Sequence, residues 1–179
     1  MPTFTVETGE GLADATSYVS VAEADDYLSL RPSITSWSAL TSTEKETKLM
    51  WATRLIDQRA TYRGVKYGTT GALRWPRSGV TDCDGVAIPY DEIPDELKAA
   101  VIELAFHFVS QSVDPSVPSA SASSGGEIKR IKADVIEIEY TEGTTGTTNY
   151  FPVGINTILR CIGSLKTGSG SRFSRILRA

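Results

Sequence analysis

Histidine is almost missing from this chain: His107 stands alone among 179 residues. With one imidazole and no cysteine cluster, the usual zinc site cannot be assembled from a single chain. The same scarcity leaves no base beside the plentiful serines and threonines to activate a nucleophile, so no enzymatic activity is expected. There is no GxGxxG fingerprint and no Walker-type phosphate loop. GTTGALR, residues 68–74, has the glycines but not the lysine–serine ending. Cysteine is nearly as rare. Cys83 and Cys161 lie far apart and outside any CxxC pair, so two free thiols in a reducing cytoplasm are expected. Asp82 and Asp84 flank Cys83, but DCDG is too short for a calcium loop and lacks its terminal glutamate; it reads as a polar turn. No metal and no cofactor is expected. Apolar runs stop well short of the ~18 residues that a membrane span needs. MPTFTVETGEG lacks the charged-then-apolar order of a secretion signal, which points to synthesis in a cytoplasm.

What is present suffices for one domain with a buried core: 40% of residues are hydrophobic and 22% charged. The formal net charge of −4 argues against a general nucleic-acid coat. Ser20 and Glu23 have capping-box spacing and open a helix over about 21–30, with Val21, Ala24, Tyr27 and Leu28 on one face. Arg31-Pro32 stops it. A second helix is expected from about Thr43 to Tyr62. Thr43 and Glu46 serve as its capping box, Leu49, Ala52, Ile56 and Ala60 as its stripe, and Trp51 and Leu55 widen the face. A third helix starts at Pro94, with Asp95 and Glu96 complementing its dipole, and ends before Asp114-Pro115. Its stripe of Leu97, Val101, Leu104 and Phe108 is expected to face Leu49, Ala52 and Ile56. His107, beside that stripe, reads as packed or solvated rather than catalytic.

PSVPSASASSGG, residues 115–126, is expected to be a flexible loop. Ile136, Ile138 and Tyr140 then alternate with Glu137 and Glu139, the period of a strand. With a partner strand over 127–132 this gives a β-hairpin at about 127–141. A last short helix from about Ile155 carries Ile158, Leu159 and Ile162 and breaks at Gly163. From Arg160 onward come Arg160, Lys166, Arg172, Arg175 and Arg178 with no acid, a basic tail on an acidic protein. The expected fold is mainly α: a small bundle of about four helices over residues 1–163, a short antiparallel β element, and an extended tail over 164–179.

LRWPRSGVTDCDGVAIP, residues 73–89, sets an aromatic, a proline and a cation side by side. Pro76 restricts Trp75 to extended geometry, and Gly79 and Gly85 supply turn freedom. The stretch is either a stiff loop, with Trp75 plugging the helical core and Arg77 projecting or ion-paired, or a contact loop. In the second case Trp75, Pro76 and Arg77 meet a neighbouring subunit, since Trp and Arg are favoured interface anchors.

SYVSVAEADDYL, then KLMWATRLIDQRATYRGVKYG, then LRWPRSGVTDCDGVAIPYDEIPDELKAAVIELAFHFV follow one another in an order that resembles the head–tail connector (head-completion or adaptor) proteins of tailed bacteriophages. The resemblance covers about residues 15–112, and more loosely EIKRIKADVIEIEY. It implies a structural virion protein of the neck, made in the host cytoplasm, with no catalytic residue. Its copies would form a ring, usually dodecameric, between the portal protein and a downstream neck or tail protein, and genomic DNA would pass through without specific binding. The tail would then dock on the portal through Phe173, Ile176 and Leu177 as apolar anchors and Arg172, Arg175 and Arg178 as charge contacts. Relatives of this type often carry a DnaT-like single-stranded-DNA-binding label. That gives the second reading, a replication accessory protein. The Arg-rich tail with Phe173, and Trp75 with Arg77, favour it. Net acidity and the lack of a basic groove interleaved with aromatics oppose it.

Overall fold

A computed structural model of the protein describes residues 3–110, 131–133, 136–138 and 152–165. The chain divides into two compact units, residues 1–114 with 151–166 and residues 115–150 with 167–179. The described part is mainly helical, with short antiparallel strand pairs.

In the first unit, helix α1 spans Val21–Ser29. Ser20 Oγ accepts from the Glu23 N–H at 3.2 Å while the Glu23 carboxylate accepts from the Ser20 N–H at 2.9 Å, the reciprocal cap that the spacing requires. A single-turn helix α2, Thr35–Ser38, follows and buries Trp37. It has no side-chain cap and no periodic stripe, so the sequence pattern does not announce it.

Helix α3, Ser42–Arg59, differs at both ends from the expected 43–62. Its capping box is Thr41 with Glu44, not Thr43 with Glu46; the Glu44 carboxylate accepts from the Thr41 N–H at 2.8 Å. Two overlapping T-x-x-E patterns sit in TSTEKE, and the first one closes. At the other end Ala60 turns extended and opens strand β1, Ala60–Tyr62. That strand pairs antiparallel with β6, Gly163–Leu165, so that Ala60 faces Leu165 and Tyr62 faces Gly163. The helical stripe therefore stops where a partner strand from the other end of the unit captures the backbone. Gly163 is required there: a Cβ on it would sit 2.8 Å from the Thr61 carbonyl oxygen. It begins a strand rather than merely ending a helix.

After β1 the chain reverses partner. Strand β2, Val65–Lys66, pairs with β3, Arg77–Ser78. Gly64, at φ +65°, makes the switch, and a side chain there would collide with the Ser78 carbonyl. Helix α4, Asp95–Ser110, starts after Pro94 and lies against α3. Leu97, Val101, Leu104 and Phe108 are all buried in one cluster with Leu49, Ala52 and Ile56, so the two stripes meet. Helix α5, Val153–Leu159, packs on α4 through Ile155 and Leu159.

Cys83 and Cys161, 78 positions apart in sequence, are joined as a disulfide with Cα atoms 5.0 Å apart. The expectation of free thiols is thereby corrected. It rested on the rarity of cysteine and the expected compartment, whereas it is the packing of α5 on α4 that carries Cys161 to the Asp82–Gly85 turn.

In the second unit, β4, Ile131–Ala133, pairs antiparallel with β5, Ile136–Ile138, with Ile131 opposite Ile138. This falls inside the expected hairpin at about 127–141. The serine-rich segment 115–126 lies outside the described residues. Among the described residues no helix is long and apolar enough to cross a membrane.

Candidate functional site

The exposed side of α3 turns a run of large side chains toward the segment that follows β2. Trp51 and Arg54 are three residues apart and so share a helix face. The Arg54 guanidinium lies 5.3 Å from the centre of the Trp51 ring, which fixes a cation over an aromatic face. Opposite them run Ala72, Leu73 and Arg74. Together with Met50, Asp57 and Gln58 they line an open groove of about 600 Å³ that carries two cations, Arg54 and Arg74, and one carboxylate, the buried Asp57.

The far wall is held from below. Asp57, buried near the end of α3, accepts from Tyr18 Oη at 2.9 Å, from Tyr62 Oη at 3.0 Å and from the Arg74 N–H at 3.0 Å. Tyr18 Oη accepts in turn from the N–H groups of Arg74 and Trp75, each at 3.1 Å. Arg74 Nη1 donates to the Ala60 carbonyl at 2.9 Å, and the Ala72 N–H donates to the Leu12 carbonyl at 2.9 Å. Burial raises the Asp57 carboxyl above the usual Asp range, with the donated hydrogen bonds offsetting part of the effect. Burial also pushes both tyrosine hydroxyls well above the usual Tyr value, and both stay protonated donors.

Beyond Arg74 the cations continue. Arg77 Nη1 donates to the Arg74 carbonyl at 3.3 Å, Nε to the Arg63 carbonyl and Nη2 to the Gly64 carbonyl, both at 2.7 Å. Its guanidinium lies 5.8 Å from the centre of the Tyr62 ring. Lys66 faces Arg77 across the β2–β3 pair and donates from Nζ to the Gly71 carbonyl at 2.6 Å. The β-ribbon thus carries two further cations, Lys66 and Arg77, on the segments that flank the groove wall in sequence.

Of the expected contact loop, Trp75 and Pro76 are buried, joined by a cis peptide bond. Trp75 packs edge-on against Tyr62 at 6.0 Å. Neither side chain presents a surface to a neighbouring subunit. Trp75 plugs the core, and Arg77 braces the turn at Arg63-Gly64. The expected tail contacts Arg172, Phe173, Arg175, Ile176, Leu177 and Arg178 lie outside the described residues. His107 is half-buried, its ring 6.4 Å from that of Phe108, and burial lowers its pKa. Among the described residues no three His, Cys, Asp or Glu side chains gather as metal ligands.

The groove is not among the sites expected from the sequence, which placed the contacts in the tail and at Trp75–Arg77. Yet a signal is there. Between Asp57 and Asp82 no acid occurs, while Arg59, Arg63, Lys66, Arg74 and Arg77 alternate with Tyr62, Tyr67 and Trp75. The stretch is basic in sequence, but Tyr62 and Trp75 are buried in the core and only Tyr67 of its aromatics is exposed; the aromatic that meets cations at the groove is Trp51 of α3. An aromatic face beside two guanidinium groups suits a ligand that carries flat rings on an anionic backbone.

Comparison with protein families gives a match over residues 2–179 to the family described as "Putative DnaT-like ssDNA binding protein". The chain belongs to this family. No curated protein and no solved structure matches it. The DnaT-like assignment overturns the neck-adaptor reading, since the matching family is described by single-stranded-DNA binding and nothing in the comparisons supports a head–tail connector. The virion location, the ring, the portal and the downstream partner were implied by the phage resemblance alone, and the DnaT-like match gives them no support. Order of helices and loops carried that resemblance, and such order reports a shared scaffold more directly than a function.

Proposed function

We propose that this DnaT-like protein binds single-stranded DNA in the groove between α3 and the Ala72–Arg74 wall, acting by binding and not by catalysis. The observation that carries the reading is the pairing of Trp51 with Arg54 and Arg74 at one groove. Trp51 offers a face on which a base can stack, and the two guanidinium groups offer charge to adjacent phosphates. Stacking is tolerant of sequence because every base has a π-face. An acidic protein can bind DNA when its cations are concentrated on one rim, because screening confines the repulsion of distant carboxylates to about 10 Å in ordinary salt. A buried hydrogen-bond network holds the Arg74 wall, so the groove exists before the ligand arrives and little ordering cost is added.

The test is fluorescence anisotropy of labelled oligo(dT) with the purified protein across a salt series. Trp51→Ala should weaken binding by about 1–3 kcal/mol. Arg54→Gln and Arg74→Gln should each reduce the slope of log K against log salt by about 0.7, the value for one phosphate on a single strand. A folded protein that binds no oligonucleotide at low salt, or a Trp51→Ala variant that binds as tightly as the wild type, would overturn the assignment.

A further inference from the structure

A second aromatic feature lies outside the groove. Tyr67, just after β2, and Tyr90, after the Thr81–Ala87 bridge, stack at 4.4 Å between ring centres with their planes tilted by 36°. They are 46% and 49% exposed. Val65, two residues before Tyr67, and Val86, four residues before Tyr90, are 70% and 63% exposed. Two large rings from separate parts of the chain therefore share one neighbourhood and leave much of their surface in water.

The charge around this platform is not neutral. Tyr67 follows Lys66, and its N–H donates to the Pro76 carbonyl at 2.9 Å, which extends the β2–β3 pairing past Lys66–Arg77. Its neighbours along the ribbon are thus Arg63, Lys66 and Arg77. Asp91 and Glu92 follow Tyr90, so the cations come from β2 and β3 alone. Arg74, which lines the groove, stands two residues before Pro76. By backbone dimensions and strand spacing, the groove wall and the backbone of Tyr67 are on the order of 10 Å apart. One oligonucleotide can reach both.

We propose that Tyr67 and Tyr90 form a second base-stacking platform for the same DNA strand, which runs from the Trp51 groove past Arg74 and Arg77 to the tyrosine pair. The inference rests on the single-stranded-DNA reading and adds to it a second contact and a path. An exposed aromatic pair presents a flat outer face at small conformational cost, because each ring is already held by the other. Phosphates passing Arg77 and Lys66 meet the cations that a strand on this path needs. The consequence is a length requirement: a short strand fills the groove alone, and a longer one engages both sites with a gain in avidity.

The experiment compares oligo(dT) of about four and about twelve nucleotides, within the range of site sizes for single-strand binders. Tyr67→Ala with Tyr90→Ala should weaken binding of the longer strand by about tenfold and leave the shorter one unchanged, whereas Trp51→Ala should weaken both. Tyr67→Phe with Tyr90→Phe keeps the rings and should bind the longer strand like wild type. A pair that serves only to pin the two loops would change thermal stability without any dependence on strand length, which overturns the proposal. The wild-type protein gives a check independent of variant folding: photocrosslinking with bromodeoxyuridine oligonucleotides should label Tyr67 or Tyr90 with the longer strand. Crosslinks confined to the Trp51 groove would overturn the second platform and leave the groove assignment standing. If the wild type binds neither strand, the DNA reading fails and the platform with it.

Discussion

Tyr18 Oη lies 2.9 Å from both carboxylate oxygens of Asp57, so one phenol hydroxyl joins the segment before α1 to the end of α3. The same oxygen receives the backbone N–H groups of Arg74 and Trp75. Three parts of the chain, distant in sequence, therefore converge on one buried polar cluster, and that cluster is the support of the groove wall.

Removing the Tyr18 hydroxyl should expose this dependence. Tyr18→Phe keeps the ring but leaves the buried Trp75 N–H without its acceptor and Asp57 with one donor fewer. A buried polar group left unsatisfied costs about 1–3 kcal/mol, and that loss is expected in urea unfolding. A loss under about 0.5 kcal/mol would mean that water replaces the hydroxyl and that the cluster does not hold the wall.

Asp57 gives the fold a defined response to pH. Its carboxyl is raised by burial, so the folded protein holds the proton more readily than the unfolded chain. Its contribution is then full below the unfolded value near 3.9 and is lost as pH rises through the raised folded value. Urea unfolding of the wild type and Asp57→Asn from about pH 3 to about pH 7 should show the wild type losing stability relative to the variant as pH rises. A difference that grows in favour of the wild type would show that the donors from Tyr18, Tyr62 and Arg74 outweigh burial.

The helices that form this core were legible because their signals are local. Ser20 with Glu23, and Pro94 with Asp95 and Glu96, mark the starts of α1 and α4, and the stripes of α3 and α4 name the faces that meet. What escaped is non-local. Ala60–Tyr62 continues a helical stripe in sequence, yet pairs with Gly163–Leu165, whose three residues carry no strand pattern of their own. The groove escaped for a related reason: Trp51 reads singly as part of a packed helix face, and only the fold sets it across from Ala72–Arg74. The basic stretch was readable as an acid-free run between Asp57 and Asp82, though the tail is the more concentrated one.

Leu104 tests the helical core directly. It is buried on α4 in the cluster that includes Leu49, Ala52 and Ile56. Leu104→Ala removes packed methyl groups and leaves a cavity where two helices meet, which should cost about 2–5 kcal/mol in denaturant unfolding. A cost below about 1 kcal/mol would mean that the two helices close over the gap, a plasticity that such a packed stripe should not show.

The Cys83–Cys161 disulfide joins residues 78 positions apart and ties the end of α5 to an exposed turn. Its two sides are supported differently. On the Cys83 side the turn has its own hydrogen bonds: the Asp82 carboxylate accepts from the N–H groups of Asp84 and Val86 at 2.9 and 2.8 Å. The Asp82 N–H donates to Val86 O and the Ile88 N–H to Val80 O, each at 2.9 Å. On the Cys161 side a short helix without a side-chain cap leads into a three-residue strand, held by the Leu165 N–H to Asn156 Oδ1 at 3.0 Å, the Ile162 N–H to Leu159 O at 3.1 Å, and the Arg63 N–H to Ile162 O at 2.9 Å. Breaking the bond restores chain freedom to the unfolded state, a loss of stability of about 4–5 kcal/mol for a loop of this length. Cys83 is exposed, so reductant can reach it. Dithiothreitol should lower the Tm, and Cys83→Ser with Cys161→Ser should reproduce the reduced protein. Hydrogen exchange should then show protection lost first in α5 and β6, with the Thr81–Ala87 hairpin changed less. Since β6 is the partner of β1, and β1 positions Tyr62 beside Arg77, loosening β6 should also weaken oligonucleotide binding. Equal loss of protection on both sides would mean that the hairpin, too, depends on the bond; an unchanged Tm would mean that the packing of α5 on α4 holds the end of the chain without it.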